Sequence, residues 1–162
     1  MYDLIIIGAG PAGMTAGIYA ARQQMNTLLI TKSFGGQVGR KAVTIKNYPG
    51  FKEISGLELI KKLKEHVSLN SESVKIKTAE VKKISKTGGN FLVSSANGEE
   101  FLAKTVIIAS GADPRPLEVP GEKEFIGKGV SYCAICDGPV FEGKKVAVIG
   151  GGNAGFESAI FY

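Results

Sequence analysis

The chain has few of the side chains that usually bind transition metals. Among 162 residues there are two cysteines, Cys133 and Cys136, and one histidine, His66. A structural zinc site takes four Cys or His ligands. The count therefore excludes a zinc site built from this chain alone and leaves open one that is shared between chains. We expect His66 on the exposed face of a helix that ends near Leu69, and we assign it no role.

Long apolar runs are also missing. No segment approaches the ~18 apolar residues of a membrane-spanning helix. The N-terminus runs into a predicted strand without the basic region, apolar core or cleavage site of a secretory leader. We therefore expect a cytoplasmic protein with no membrane partner. Two cysteines three positions apart in that compartment favour redox or metal chemistry over a structural disulfide.

Acidic residues are absent from Leu4 to Lys52. Either the basic residues of this stretch lie on an ordinary solvated surface, or together they create a positive electrostatic potential that favours a phosphate-bearing ligand. Over the whole chain, 20 Lys and Arg are scattered among 15 Asp and Glu, which is not the concentrated basic patch of a nucleic-acid-binding protein. We expect no nucleic-acid partner. The basic residues of the stretch are Arg22, Lys32, Arg40, Lys41, Lys46 and Lys52.

The order of apolar runs and glycine-rich turns predicts an α/β fold. A strand over Asp3–Ile7, a helix from Pro11 to about Gln24 and a strand over Thr27–Thr31 form half of a βαβ unit. The loop Phe34-Gly35-Gly36-Gln37 follows. Apolar residues at helical spacing from Leu57 to Val67 indicate another helix.

Shorter apolar runs follow that helix. Strands between Val74 and Ala103, with turns at Gly88-Gly89 and Asn97-Gly98, indicate a small antiparallel β-meander. Thr105–Ala109 is apolar and β-branched, as expected of one more buried strand.

Three prolines, Pro114, Pro116 and Pro120, break regular structure and indicate a domain boundary. We predict one domain over residues 1–113 and the start of a second over residues 114–162. Lys145–Ile149 is predicted as the first strand of a second βα unit, which aligns residue by residue with the first. In this register Tyr162 falls inside a helix, so we expect the chain to be a portion of a longer protein.

Each of these βα units carries a glycine-rich fingerprint, Gly8-Ala9-Gly10-Pro11-Ala12-Gly13 and Gly150-Gly151-Gly152-Asn153-Ala154-Gly155. In such a fingerprint the glycines allow a tight turn, a close approach to a pyrophosphate and close helix packing. The acid expected about 20 residues later is replaced in the first copy by Thr31-Lys32-Ser33. The ribose must therefore be bound by backbone or hydroxyl groups, or it is bound poorly. The alternative is a glycine turn without a ligand.

Cys133-Ala134-Ile135-Cys136-Asp137 lies between the two fingerprints. At this spacing one thiolate can attack a disulfide of a partner while the other resolves the mixed disulfide. Asp137 is placed to handle the proton that comes and goes at a leaving thiolate. The alternatives are two inert core cysteines and, for Asp137, a solvated turn residue.

Six motifs together resemble the low-molecular-weight thioredoxin reductases and the closely related flavoprotein subunit of alkyl hydroperoxide reductase. They occur in the order of that family and span the whole chain. The larger glutathione-reductase-like class has its redox pair near the first glycine motif, where this chain has no cysteine. The motifs are the two fingerprints, Phe34-Gly35-Gly36-Gln37, Asn47-Tyr48-Pro49-Gly50, Ala109-Ser110-Gly111-Ala112 and Cys133-Ala134-Ile135-Cys136-Asp137-Gly138.

The resemblance implies an N-terminal Rossmann-like FAD-binding domain, with a parallel sheet and a small antiparallel β-meander, followed by the first strand and helix of a Rossmann-like NAD(P)-binding domain. Many relatives carry Glu where this chain has Lys32. The FAD-binding positions implied are Gly8, Gly10, Pro11, Ala12, Gly13, Lys32, Gly35, Gly36, Gln37, Asn47, Val81, Ala109, Ser110 and Gly111. NADPH or NADH is implied at Gly150, Gly152, Asn153, Ala154 and Gly155.

The resemblance also implies the activity. Electrons would pass from the nicotinamide through FAD to the Cys133–Cys136 disulfide, and on to a thioredoxin-like or peroxiredoxin-system protein disulfide. It makes Cys136 the flavin-side sulfur, Cys133 the one that exchanges with the partner, and Asp137 the acid. Members of the family continue beyond the position of Tyr162, so we expect no turnover by this chain alone. We also expect a homodimer when the protein is full length. The alternatives are a non-catalytic FAD-binding module, a fragment that needs a second chain, and a ferredoxin-type flavin reductase, which the Cys-x-x-Cys argues against.

Overall fold

The structure is a computed structural model that describes residues 1–40, 44–69 and 72–162. Lys41 of the acid-free stretch, and the side chain of Arg40, lie outside the described residues. The chain divides into two compact units, Met1–Ala112 and Asp113–Tyr162.

The first unit contains a six-stranded sheet and a separate two-stranded one. The order of the large sheet is β5-β2-β1-β8-β7-β6, and β3 pairs with β4. The strands are β1 Tyr2–Ala9, β2 Thr27–Phe34, β3 Thr44–Ile45, β4 Ile54–Ser55, β5 Val74–Thr78, β6 Val81–Thr87, β7 Asn90–Ser95 and β8 Glu100–Ile108, and the helices are α1 Pro11–Arg22, α2 Gly36–Arg40 and α3 Gly56–Ser68.

Strand β1 lies inside the large sheet, because β2 pairs with one of its edges and β8 with the other. Both pairings are parallel. Parallel strands are usually covered on both faces, and their sequences are then continuously apolar. Successive side chains of β1 accordingly enter two different cores. Leu4 and Ile6 pack with residues of α1 and α3, including Met14. Ile5 packs with Leu28 and Ile30 of β2 and with residues of β7 and β8.

Strand β8 is longer than predicted and joins the two parts of the sheet. Its beginning pairs antiparallel with β7, from Glu100 opposite Ser94 to Ala103 opposite Phe91. Its end pairs parallel with β1, up to Ile108 opposite Ile7. The predicted parallel sheet and β-meander are therefore one continuous sheet. The predicted loop at 34–37 also differs, because the short helix α2 begins within it at Gly36.

The second unit is built from short helices. The predicted strand over Lys145–Ile149 is wrong for this structure, because the segment is irregular. An isolated apolar run has no neighbour to satisfy its backbone N–H and C=O groups. The predicted helix after it is present. The elements are α4 Glu122–Phe125, α5 Ala134–Asp137, a 3₁₀ helix over Gly138–Phe141 and α6 Asn153–Phe161.

In the described ranges of both units, no helix combines the length and apolar composition that a membrane crossing requires. His66 is exposed near the end of α3, as predicted.

Candidate functional site

The carboxyl ends of β1, β2 and β8 meet in the first unit, and the predicted loops meet with them. Gly35 N–H donates to the Ala9 carbonyl oxygen at 2.8 Å, and Ala109 N–H donates to the Ile7 carbonyl oxygen at 2.8 Å. The Gln37 side-chain amide donates to the Ala112 carbonyl oxygen. Ligands of open α/β sheets bind outside the carboxyl ends of parallel strands. The structure thus brings three of the predicted motifs to the edge where a nucleotide would bind.

The turn of the first fingerprint is closed by contact between its first and last glycines. Gly8 has a φ of +105°. A Cβ added at Gly13 would lie only 1.8 Å from the Gly8 carbonyl oxygen. Helix α1 then begins with Pro11 in its first turn, where the missing N–H of proline costs nothing. The sequence therefore needs glycine at position 13 for packing, independently of any ligand.

Gly10 has a different environment, and it shows that this loop fits a bound group. Apart from Gly10 and its two chain neighbours, no atom of the described residues lies within 4 Å of the position a Cβ would take at Gly10. The residue caps α1, whose first turn contains no acidic side chain. N–H groups of a first helical turn have no partner within the helix, and they attract anions. Open space in front of these groups is what a pyrophosphate requires, so the residues present fit a dinucleotide such as FAD.

The end of β2, where the fingerprint acid would stand, is organised around Thr31. The Thr31 hydroxyl accepts from Ala9 N–H at 3.2 Å and donates to the Ser33 carbonyl oxygen at 2.6 Å. Thr31 is buried. Its hydroxyl is therefore used by the fold, and is not the group that would hold a ribose.

Lys32 lies next to a carboxylate that the sequence analysis missed. Its Nζ is 3.3 Å from Glu80 Oε2, and Lys82 Nζ is 2.9 Å from Glu80 Oε1. The hydrogen bonds from Lys82 and Lys32 hold the pKa of Glu80 below its usual value. Ala79 N–H donates to the Thr31 carbonyl oxygen at 2.9 Å, which places the predicted position Val81 close to the end of β2. No sequence signal pairs Glu80 with Lys32, because the contact depends on β5 lying beside β2.

Asn47 is in the segment between β3 and β4, and the contacts described above do not include it. The predicted turn after it is present, with Phe51 N–H donating to the Tyr48 carbonyl oxygen at 3.2 Å.

The fingerprint of the second unit repeats the geometry of the first. Gly150 has a φ of +123°, and a Cβ added at Gly155 would lie 2.1 Å from the Gly150 carbonyl oxygen. Gly152 caps α6, as Gly10 caps α1. Within the described part of the chain, and leaving out sequence neighbours, no atom lies within 4 Å of a Cβ built at Gly151 or Gly152. This loop, with Asn153 and Ala154 in the first turn of α6, fits the pyrophosphate of a second dinucleotide.

The two cysteines of the second unit are joined by a disulfide, with their Cα atoms 5.3 Å apart. Cys133 caps the short helix α5, and Cys136 N–H lies 3.2 Å from Cys133 Sγ. Cys133 is half-buried and Cys136 is exposed. Among the described residues, no group of three or more His, Cys, Asp or Glu is arranged to hold a metal ion. The two sulfurs are thus bonded to each other at the start of α5.

Asp137 is anchored by a hydroxyl that the sequence analysis did not single out. Ser131 Oγ donates to Asp137 Oδ2 at 2.5 Å and accepts from Cys133 N–H at 3.1 Å. Asp137 N–H donates to the Cys133 carbonyl oxygen at 3.1 Å. The predicted acid therefore lies beside the backbone of the disulfide, in an orientation fixed by its hydroxyl partner.

Glu122 is a third polar group, after Glu80 and Ser131, that the sequence did not indicate. The residue is 5% exposed. It accepts from Leu117 N–H at 2.8 Å, from Glu118 N–H at 2.7 Å and from the Tyr132 hydroxyl. The Tyr132 hydroxyl and these backbone donors hold the pKa of Glu122 below its usual value, and the carboxylate raises the pKa of Tyr132. Glu122 thus ties the proline-rich segment to the residue that precedes Cys133.

Comparison with known proteins gives consistent matches along the chain. The family model of the pyridine nucleotide-disulphide oxidoreductases matches residues 2–162. Thioredoxin reductase of Bacillus subtilis (strain 168) is 42% identical over 161 residues, 99% of this chain and 50% of that protein. The alkyl hydroperoxide reductase F subunit of Escherichia coli (strain K12) is 44% identical over 166 residues, 98% of this chain and 31% of that protein.

A solved structure shows the same similarity. The crystal structure of thioredoxin reductase from Streptococcus pyogenes MGAS5005 matches with a TM-score of 0.87 at 44% identity, covering 99% of this chain and 52% of that chain. The chain thus spans about half the length of this structure and of the Bacillus relative.

Proposed function

The chain belongs to the pyridine nucleotide-disulphide oxidoreductase family, and on that premise we propose that it supplies the FAD site and the redox disulfide of a thioredoxin-reductase-like enzyme. The family resemblance predicted from the motifs is confirmed, and members of this family are oxidoreductases that use a flavin and a pyridine nucleotide. One observation carries the proposal: the Cys133–Cys136 disulfide lies beside an anchored carboxylate, in a chain whose two fingerprint loops share one geometry.

The cofactor sites follow from these loops. FAD would lie at the carboxyl ends of β1, β2 and β8, with its pyrophosphate before Gly10 and the α1 N-terminus. NADPH or NADH would lie against the loop that ends in α6. When bound, FAD supplies the carrier through which electrons of the nicotinamide reach the disulfide. The residues assigned to FAD binding are Gly8, Gly10, Pro11, Ala12, Gly13, Lys32, Gly35, Gly36, Gln37, Asn47, Val81, Ala109, Ser110 and Gly111. The residues assigned to NADPH or NADH binding are Gly150, Gly152, Asn153, Ala154 and Gly155.

The chemistry on the protein side is thiol–disulfide exchange. Reduction of the disulfide takes two electrons and two protons and yields the two thiols. The Cys133 thiolate then attacks the disulfide of a partner and releases one partner thiolate. Cys136 attacks Cys133 Sγ, releases the second partner thiolate and restores the disulfide. Asp137 moves the protons that these thiolates take up and give back. The partner is a protein disulfide of the thioredoxin or peroxiredoxin type, and the whole enzyme is a homodimer.

The roles of the two cysteines can be tested by trapping. Exposure alone would favour Cys136 as the sulfur that meets a partner, so the test has to separate the two. We expect reduced Cys136→Ser to form a stable mixed disulfide with oxidised thioredoxin, because Cys133 attacks and no resolving thiol is left. The matched variant Cys133→Ser should form little. Non-reducing gels and intact mass measure the adduct, and the reverse pattern would overturn the assignment.

A second candidate function is a non-catalytic FAD-binding module. It is favoured by the coverage of about half of the Bacillus relative. The purified 162-residue chain distinguishes the two in a turnover assay with NADPH, FAD and thioredoxin. We expect weak FAD binding and no turnover unless the rest of the enzyme is supplied. Robust turnover by homogeneous chain would reject the need for further sequence.

A further inference from the structure

The Ser131 side chain makes two hydrogen bonds at the edge of the disulfide. Its hydroxyl is 2.5 Å from Asp137 Oδ2 and accepts from Cys133 N–H at 3.1 Å. The Cys133 carbonyl oxygen is also near the hydroxyl, at 3.2 Å. A hydroxyl has a single hydrogen to donate. The shorter distance and the charge of the carboxylate assign that hydrogen to Asp137, because hydrogen bonds to charged acceptors are the shorter and stronger ones.

This arrangement restricts the position of the Asp137 carboxylate. The backbone of Asp137 is already held, since its N–H donates to the Cys133 carbonyl oxygen at 3.1 Å. The carboxylate could still rotate on its side chain. The hydrogen bond from Ser131 removes that freedom. The position of Ser131 is itself fixed by the hydrogen bond that its hydroxyl accepts from Cys133 N–H. One hydroxyl therefore links the carboxylate to the backbone of the cysteine that carries the exchange.

We infer that Ser131 is a positioning residue for disulfide exchange: it holds Asp137 where a proton can pass between the carboxylate and the sulfur that leaves or attacks. The inference rests on the proposed function, because it needs Asp137 to act as the acid. It concerns the step in which Cys136 attacks Cys133 Sγ. In that step the Cys133–partner bond breaks, the Cys133–Cys136 bond forms, the Cys136 thiol gives up its proton and the released partner thiolate takes one up.

The test uses the chain as it exists, reduced with dithiothreitol, freed of reductant and mixed with oxidised thioredoxin. Cys133 and Cys136 are the only thiols of the chain, so alkylation and mass spectrometry follow its reoxidation directly and need no cofactor. We expect Ser131→Ala to slow reoxidation about 10-fold, as loss of a hydrogen bond to a charged group does. Asp137→Asn should slow it about 100-fold or more, as loss of a general acid does.

The two effects should not multiply. If Ser131 acts through Asp137, the double variant reacts at the rate of Asp137→Asn alone, and Ser131→Ala changes the pH–rate profile in the same direction as Asp137→Asn. Ser131→Thr keeps the hydroxyl and should restore most of the rate. The matched control is Ser158→Ala in the same unit, whose hydroxyl donates only within α6, to the Ala154 carbonyl oxygen at 2.7 Å. That variant should react like the unmodified chain.

The outcomes separate the inference from the proposed function. An unchanged rate for Asp137→Asn would refute the acid itself. A slow Asp137→Asn together with a normal Ser131→Ala would refute only the positioning role. Fully multiplicative effects would show that Ser131 acts through the backbone of Cys133 and not through Asp137, which also overturns the inference. Circular dichroism of each variant shows whether the second unit has kept its fold.

Discussion

Helix α1 offers two glycines whose replacement by alanine should have opposite effects. At Gly13 the new Cβ would lie 1.8 Å from the Gly8 carbonyl oxygen, whereas protein Cβ atoms essentially never come closer than 3.0 Å to such an atom. The obstructing atom is backbone, so no side chain can turn away. At Gly17 the new Cβ would meet Leu29 Cδ1 at 3.6 Å and Val67 Cγ1 at 3.8 Å, which are ordinary contacts. Both sites lie in the same helix and receive the same methyl group.

The magnitudes follow from these distances. Overpacking costs about 1–3 kcal/mol, and a clash with backbone belongs at the upper end of that range. Alanine returns about 1 kcal/mol of helix propensity at either position. We therefore expect Gly13→Ala to lose about 2 kcal/mol of unfolding free energy and Gly17→Ala to gain about 1 kcal/mol. The difference of about 3 kcal/mol corresponds to about 12 °C in Tm for a unit of this size.

The assay is thermal and urea unfolding of both variants, followed by far-ultraviolet circular dichroism. The two units can unfold separately, so the transition that contains β1 and α1 must be identified first, for example by hydrogen exchange of the β1 amides. The comparison between the variants is more informative than either value alone, because any change in the unfolded chain is shared. If Gly13→Ala proves as stable as Gly17→Ala, the close turn between Gly8 and Gly13 does not exist as described.

Three further predictions use other parts of the molecule. Gly10→Ala should change the stability of the cofactor-free chain by under about 1 kcal/mol, the cost of alanine at a helix cap. It should also lower the affinity for FAD, measured by flavin fluorescence. Unchanged affinity would mean that the open space at Gly10 does not receive the cofactor. Gly155→Ala should unfold α6, whereas Gly151→Ala, with no atom within 4 Å of its Cβ, should not; equal circular dichroism spectra would contradict this. The pKa of Glu122 is lowered from its usual 4.5, so the stability that its contact with Tyr132 provides should be lost as pH falls below about 4.5 and through the lowered pKa. The pKa of Tyr132 is raised from its usual 10.0, so the same stability should be lost as pH rises above about 10 and through the raised pKa. Glu122→Gln should flatten the acid side of this profile and Tyr132→Phe the alkaline side, and an unchanged profile in both variants would show that the contact does not contribute.

The sequence predicts correctly those elements whose structure depends on residues close together along the chain. Strand β1 and helices α1 and α3 follow from apolar periodicity, which is local. The extent of β8 does not follow from it, because its first residues, Glu100–Leu102, are in register with β7, and pairing with β1 begins only at Ala103. The contacts of Ser131 and Glu122 were missed for a related reason. They connect residues across irregular segments, where no spacing rule marks which side chains will meet.

The two βα units separate these local and non-local requirements within a single chain. Both fingerprint loops have the same close glycine approach and the same glycine cap. Yet β1 is paired on both edges, and Lys145–Ile149 is irregular. The close glycine approach and the glycine cap are therefore present both where the preceding apolar run is a paired strand and where it is not. Val146, Val148 and Ile149 are 42%, 39% and 68% exposed, whereas Ile5 and Ile6 of β1 are fully buried. The loop geometry of the second unit therefore does not depend on strand pairing by Lys145–Ile149.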